Sequence, residues 1–207
     1  SLSSLALKSA VRTCLQKAGA TDQELKNYTR KVSHISSTPV EYKADVAIIG
    51  GGGTGLAAAV SALENGAKKV VILEKMPIYG GNSIINGGGY GAYDDKLKLR
   101  KKLNLGDDTA KQHFDDTLKG GDYYNIPELV QVLVNESPDA LNWMIDEGGL
   151  KLRDVLTRGG GHTAYRCHFS ETMWGKDYTE ALKKIAEKRG AKMILGSEVT
   201  WIWRKDA

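Results

Sequence analysis

The stretch Ala44-Asp45-Val46-Ala47-Ile48-Ile49-Gly50-Gly51-Gly52-Gly53-Thr54-Gly55 decides how the rest of the chain is read. Its first half is a short run rich in β-branched residues. Such a run fits a buried parallel strand better than a half-exposed one. Its second half satisfies G-x-G-x-x-G at Gly50, Gly52 and Gly55. Alone that pattern is weak, but between a strand and a helix it acquires meaning. Leu56 to Asn65 is alanine-rich and helical in pattern, and Gly66 ends it. Lys69 to Leu73 (Lys-Val-Val-Ile-Leu) reads as a second buried strand. Strand, glycine turn, helix and strand make one βαβ unit of about 30 residues.

Each part of that unit has a task at a dinucleotide. Gly50 permits the tight turn, Gly52 lets backbone approach a pyrophosphate, and Gly55 lets helix and strand pack closely. Gly53 and Thr54 open the helix, whose first N–H groups and positive dipole end suit phosphate. Glu74 closes the second strand, 19 residues after Gly55. A carboxylate there can accept from a ribose hydroxyl pair. The bland alternative is an ordinary surface glutamate beside a glycine-rich loop.

The fingerprint does not choose between FAD and a nicotinamide cofactor. The segment Glu74-Lys75-Met76-Pro77-Ile78-Tyr79-Gly80-Gly81-Asn82-Ser83 and its continuation to Tyr93 bears on that choice. From Met76 the chain shows little helix or strand signal for about 18 residues, long for a loop without a function of its own. Gly80, Gly81, Gly87, Gly88, Gly89 and Gly91 allow backbone to lie against something flat or phosphorylated, with Asn82 and Ser83 as polar contacts. A nicotinamide domain has no need of this loop. The other readings are a flexible surface loop and a non-catalytic dinucleotide-binding module.

Outside the unit, Ser3 to Lys17 reads as an amphipathic helix capped by Ser3 or Ser4. Thr21-Asp22-Gln23-Glu24 is a capping box for a short helix to about Arg30. Ser33 to Val40 is polar, holds Pro39 and reads as linker. Leu97 to Leu105 is basic and reads as exposed. Helices are expected over 108–118, 127–135 (with Pro127 at a first helical position), 138–147 and 177–189. Strands are expected over 191–195 and 198–203. The organisation is therefore a helical segment (1–30), a linker (31–43) and a dinucleotide-binding domain (44–207); the resemblances given below imply that the first is the remnant of a preceding module and the last the N-terminal part of an FAD-binding domain. The fold class is α/β, a Rossmann-type domain with an incomplete parallel sheet.

Composition excludes several classes. Of 207 residues, 41% are hydrophobic and 26% charged, a globular balance. The net charge of +4 comes from scattered basic residues, with no run resembling a nucleic-acid arm. No apolar run reaches the ~18 residues of a membrane span, and the opening residues lack the apolar core of a signal peptide. A soluble protein of the cytoplasm or an organellar lumen is expected. Cys14 and Cys167 have no metal-type spacing and read as buried free thiols, and no metal is expected. Opening at Ser1, the chain reads as a fragment or processed form.

The residues from Asp45 to Ile49, the glycine cluster, Glu74-Lys75-Met76-Pro77, Gly80-Gly81-Asn82-Ser83 and Gly87-Gly88 together resemble the flavoprotein subunits of fumarate reductases and their flavocytochrome c relatives. The likeness continues through Asp116-Thr117-Leu118-Lys119-Gly120-Gly121, Pro127-Glu128-Leu129-Val130, Gly159-Gly160-Gly161 and Arg166-Cys167-His168. It implies an FAD that lies along this domain under a mobile capping domain. It implies reduction of a C=C bond flanked by carboxylate, fumarate to succinate, with hydride passing to one carbon and an arginine protonating the other. Thr54, Glu74, Lys75, Gly81, Asn82, Ser83, Gly87 and Gly88 carry over as FAD contacts. The membrane-bound members attach FAD covalently to a His at the position of Asn82, so the resemblance implies non-covalent FAD here. The family's catalytic residues fall beyond Ala207 in this alignment. Arg166 and His168 sit in a motif that can face the flavin, and a structural role holding the glycine loop is the preferred reading. His34 and His113 read as solvated or core positions. Urocanate, an acrylate or a ketosteroid are alternative acceptors for the same fold.

The opening Ser1-Leu2-Ser3-Ser4 resembles the end of a small FMN-binding module, in which a Thr or Ser carries FMN through a phosphoester. Ser1 would occupy that position, although the Gly-Ala that precedes it in the motif is absent. A plain helix cap is the equal alternative. With FMN attached, electrons would reach this FAD from NADH through a neighbouring electron-donor module, an order that resembles soluble NADH-dependent fumarate reductases.

Overall fold

The computed structural model describes residues 2–27 and 39–203. Ser1, Arg30 and His34 lie outside the described residues, as does most of the expected linker. The chain divides into two compact units, Ser1–Glu41 and Tyr42–Ala207.

In the first unit, α1 (Leu2–Lys17) is followed by α2 (Asp22–Asn27). The capping box forms as expected. Thr21 Oγ1 accepts the Glu24 N–H at 3.3 Å, and Glu24 Oε2 accepts the Thr21 N–H at 2.8 Å. Because α1 begins at Leu2, Ser3 and Ser4 sit inside its first turn rather than capping it. Cys14 is exposed, correcting the expectation of a buried thiol.

The second unit runs β1 (Val46–Ile49), α3 (Gly53–Glu64), β2 (Val70–Leu73), α4 (Gly81–Ile84), β3 (Gly89–Gly91), α5 (Leu99–Lys102), α6 (Ala110–Gly120), α7 (Pro127–Gly148), β4 (Leu152–Thr157), β5 (Cys167–Ser170), α8 (Gly175–Lys188) and β6 (Lys192–Ile194). The expected parallel sheet is present in the order β1-β2-β6. Val46 pairs with Val70 and Ile49 with Leu73; Val71 pairs with Lys192 and Leu73 with Ile194. Helices α3 and α8 bury one face each against this sheet. Leu56, Val60, Val70, Ile72 and Ile185 form one apolar cluster, each at most 2% exposed. Each such side chain removed from water stabilises the fold by about 1.5–3 kcal/mol. A second cluster, around Leu141, Met144, Leu150 and Ala181, joins α7 to α8.

Several expectations are corrected. Strand β1 lies at the sheet edge among the described residues, alternates in burial, and leaves Ile49 57% exposed. Its run of β-branched residues marks a strand but not its neighbours. The loop from Met76 to Tyr93 contains α4 and β3. That strand joins a second, antiparallel sheet in the order β3-β5-β4, in which the β4–β5 pairing is interrupted between Leu152 and Leu156. Leu97 to Leu105 is not simply exposed, since Leu99 is fully buried. Residues 198–203 form no strand, and β6 pairs with β2 in parallel.

The helices expected over 127–135 and 138–147 are one helix, α7, with Pro138 inside. Proline lacks the N–H that would reach the Val134 carbonyl one turn back. Ser137 Oγ donates to that carbonyl at 3.2 Å, so the acceptor is satisfied and the helix continues. Gly149, at φ +69, ends it in the left-handed conformation.

Candidate FAD-binding site

The glycine turn does what its residue types allow. Gly50 has φ +99, open to glycine but costly for other residues. The turn carries the chain from β1 into α3, whose N-cap Gly52 offers no side chain. The first-turn N–H groups of α3 therefore have no side-chain cap and point toward whatever occupies the turn. Gly55 is required by packing: a Cβ there would stand 1.9 Å from the Gly50 carbonyl oxygen. Only hydrogen lets α3 start this close to the turn.

Glu74 is 8% exposed at the end of β2. Its Oε2 accepts the Gly51 N–H at 2.7 Å, and its Oε1 accepts the Met76 N–H at 2.8 Å. The strand end is pinned from the other side: Glu74 N–H donates to the Ile194 carbonyl, and its own carbonyl accepts from Ser197 N–H. A carboxylate has about four lone-pair sites, so two backbone donors leave capacity for a pair of hydroxyls. This arrangement fits the ribose of a dinucleotide.

The glycine-rich segment folds back on the turn. Gly80 N–H donates to the Gly51 carbonyl at 2.8 Å, and Gly52 and Gly80 form a parallel bridge. This brings α4 alongside the start of α3. Ser83 Oγ lies against Gly53, 3.0 Å from where a Cβ would be. Asn86 staples the next turn. Its amide donates to the Ser83 carbonyl, its Oδ1 accepts the Gly88 N–H, and its backbone carbonyl accepts the Gly175 N–H. Gly87 is exposed, whereas Gly88 is buried against Met173 and Trp174. Asn82 is exposed on α4. Lys75 is exposed and pairs with Glu198 at 2.5 Å. The glycine turn, Glu74, Gly80 and Ser83 thus gather at one end of the parallel sheet. Asn86 was legible only as one more polar residue among glycines.

From Gly53 and Thr54 a groove of about 880 Å³ continues past Gly89–Gly91 to His113, Thr117 and His162, walled by Leu129, Val132 and Leu133 of α7. Nothing in the sequence marked α6 and α7 as walls, because their contribution depends on how they pack. Behind the groove lies a buried ion network. The Arg166 guanidinium, 1% exposed, donates from Nε and Nη2 to both oxygens of Asp108 at 2.8 Å. Its Nη1 donates to Asp116 at 2.8 Å and to His162 Nδ1 at 2.6 Å. Burial would raise the Asp116 carboxyl, but the Thr163 N–H and hydroxyl and Arg166 together hold it below the usual carboxylate range. His168, 1% exposed, bridges the Arg166 carbonyl and Asp95. It pairs across to Tyr90 and so supports the glycine strand β3. Cys167 is half-buried, and burial raises its thiol.

Among the described residues no group of three His, Cys, Asp or Glu could hold a metal ion. No helix among them is long and apolar enough to cross a membrane.

The FAD binding domain family matches residues 45–199. A fumarate reductase (cytochrome) of Shewanella frigidimarina is 38% identical over 65% of this chain and 23% of its own. An NADH:fumarate oxidoreductase of Klebsiella pneumoniae is 35% identical over 75% of this chain and 16% of its own. A urocanate reductase of Eggerthella lenta is 31% identical over 90% of this chain and 30% of its own. The open conformation of a flavocytochrome c3 fumarate reductase superposes with a TM-score of 0.66 at 30% identity, over 74% of this chain and 26% of that one. The chain thus spans less than a third of the length of these relatives. With the glycine turn, the carboxylate at the end of β2 and the parallel sheet in place, the chain belongs to the FAD-binding domain family of flavoproteins.

Proposed function

We propose that this chain is the FAD-binding part of a flavoprotein oxidoreductase that reduces an activated C=C bond, fumarate to succinate, with electrons from NADH delivered through a donor module. The observation that carries the reading is the joint geometry of the uncapped α3 N-terminus and the buried Glu74, at the start of a groove long enough for a flat ring. The likeness to fumarate reductases over residues 45–199 supports the acceptor class. When bound, FAD supplies the hydride for that reduction. The chain's own residues hold it. The first-turn N–H groups from Gly53 to Gly55 take the phosphates, Glu74 takes the ribose hydroxyls, and Ser83 and the Gly87-Gly88 turn flank the chain between. Gly81, Asn82 and Lys75 complete the rim. Asn82 cannot form the histidyl bond of the covalent branch, so the cofactor is held non-covalently. Arg166 is not the proton donor, because Asp108 and Asp116 already occupy its guanidinium.

The test is turnover by the full-length protein under anaerobic conditions with NADH, comparing fumarate, urocanate and acrylate. Fumarate reduction is expected. Urocanate or acrylate reduction without fumarate reduction would replace the acceptor and leave the FAD reading intact; the urocanate reductase relative is the reason to include that arm. Acid precipitation should leave FAD in the supernatant. Flavin retained on the Asn82 peptide would refute the non-covalent mode. In the same protein, a mass increase matching FMN at Ser1 tests the proposed FMN module.

A further inference from the structure

The groove that leaves the phosphate end of the site closes on a buried histidine. His113 is 3% exposed, and its Nδ1 is fully enclosed with no hydrogen bond among the described residues. Its Nε2 looks toward Gly91, where an added Cβ would stand 3.7 Å away. An enclosed N–H without an acceptor costs more than an enclosed bare nitrogen. The proton therefore belongs on Nε2, the nitrogen on the groove side. Burial and the neighbouring Arg166 guanidinium push this imidazole down to about 4, so it is neutral at pH 7. His162, 5.8 Å away between ring centroids, is fixed in the same tautomer because Arg166 donates to its Nδ1. The end of the groove thus presents neutral donors beside a flat, side-chain-free strand, Gly89–Gly91, and an apolar wall from α7. That combination suits a planar ring with one apolar and one acceptor-rich edge.

Direction decides which half of a dinucleotide lies there. Glu74 takes the ribose at the end of β2 and does not line the groove, whereas Gly53 and Thr54 do. The groove therefore leads from the phosphates away from the adenosine. We propose that His113 is a cofactor-binding residue whose Nε2–H donates a hydrogen bond to a carbonyl oxygen on the pyrimidine edge of the isoalloxazine ring laid over Gly89–Gly91. The inference rests on the FAD reading above and adds to it the residue that orients the ring.

The experiment titrates FAD into the flavin-free full-length protein by fluorescence quenching and measures the midpoint potential of the bound flavin. The variants are His113→Leu, His113→Gln and Gly91→Ala. His113→Leu should raise the dissociation constant roughly tenfold, the loss of one hydrogen bond. It should also move the potential to more negative values, because the donor no longer supports the electron-rich reduced ring. His113→Gln, which keeps a donor, should recover most of both. Gly91→Ala adds a methyl with only ordinary contacts in the protein itself, and it should weaken binding by interposing that methyl between the ring and Nε2. A folded His113→Leu protein with wild-type affinity and potential overturns the proposal. If His113→Leu does not fold, wild-type affinity in Gly91→Ala overturns it instead. A wild-type protein that binds no FAD at all would sink the FAD reading itself, a separate result.

Discussion

Replacing Glu74 by Gln tests the heart of the site because one substitution has two separable consequences. The carboxylate is buried and accepts two backbone N–H groups, from Gly51 on one oxygen and Met76 on the other, at 2.7 and 2.8 Å. Gln is nearly the same size but offers one oxygen and one NH2 group. Whichever way the amide turns, one backbone N–H meets a donor. The amide oxygen keeps the enclosed Gly51 N–H, so the loss falls on the part-buried Met76 N–H and costs about 1 kcal/mol, the low end for an unpaired donor. A domain of this size loses roughly 2–4 °C in Tm per kcal/mol. The flavin-free protein should therefore melt about 2–4 °C lower in the transition that includes this domain. The second consequence appears only with ligand. The carboxylate has acceptor capacity for two ribose hydroxyls after serving the backbone, and the amide has capacity for fewer. FAD affinity should fall by a further factor of roughly ten, one lost hydrogen bond. Differential scanning calorimetry without FAD and fluorescence titration with it read the two effects independently. An unchanged Tm would refute the claim that both backbone donors depend on Glu74. A lowered Tm with unchanged FAD affinity would refute its role at the ribose.

The remaining predictions use other parts of the structure. Gly55→Ala places a Cβ 1.9 Å from the Gly50 carbonyl, with no flexible side chain to yield. It should destabilise by about 1–3 kcal/mol or more in a denaturant melt, whereas Gly87→Ala, which meets nothing within 4 Å, should stay within about 0.5 kcal/mol. Arg166→Met leaves Asp108 and Asp116 without their buried cation and should cost about 3–5 kcal/mol; a smaller loss would mean that Arg100, 3.4 Å from Asp108, takes over the pairing. Stability should also fall in mild acid. His113 in the folded protein titrates at about 4 rather than 6.5, so the unfolded chain takes up the proton first. Its contribution is complete above about pH 6.5 and is lost progressively as pH falls toward 4. His113→Leu should flatten the Tm profile in that window, and an unaltered slope would count against the buried neutral imidazole. Asp116, held below the usual carboxylate range, adds its own loss at still lower pH.

The βαβ unit was readable because its determinants are local. Gly50 must turn, Gly55 must have no side chain, and Glu74 must end a strand, and each requirement acts within a few residues of sequence. The capping box at Thr21 and Glu24 was readable for the same reason. The merger of two expected helices into α7 was not, because a proline normally ends a helix. Ser137 overrides that rule by taking the Val134 carbonyl. Strands β4 and β5 escaped notice because their mutual pairing is interrupted between Leu152 and Leu156, and the other edge of β5 is held by β3, far away in sequence. In β5 the alternation is inverted, since His168 and Ser170 are the buried residues and Cys167 and Phe169 the partly exposed ones.

The sequence by itself determined the βαβ unit, its glycine turn and the acid that ends β2, since those depend on residue types at short spacing. Only the tertiary structure decided what stands opposite them. It set α6 and α7 beside Gly89–Gly91, enclosed His113 with its Nδ1 unpaired among the described residues, and wrapped Arg166 with Asp108 and Asp116. Those arrangements follow from long-range packing of helices against two sheets, and packing is a property of the assembled volume rather than of any single window of residues.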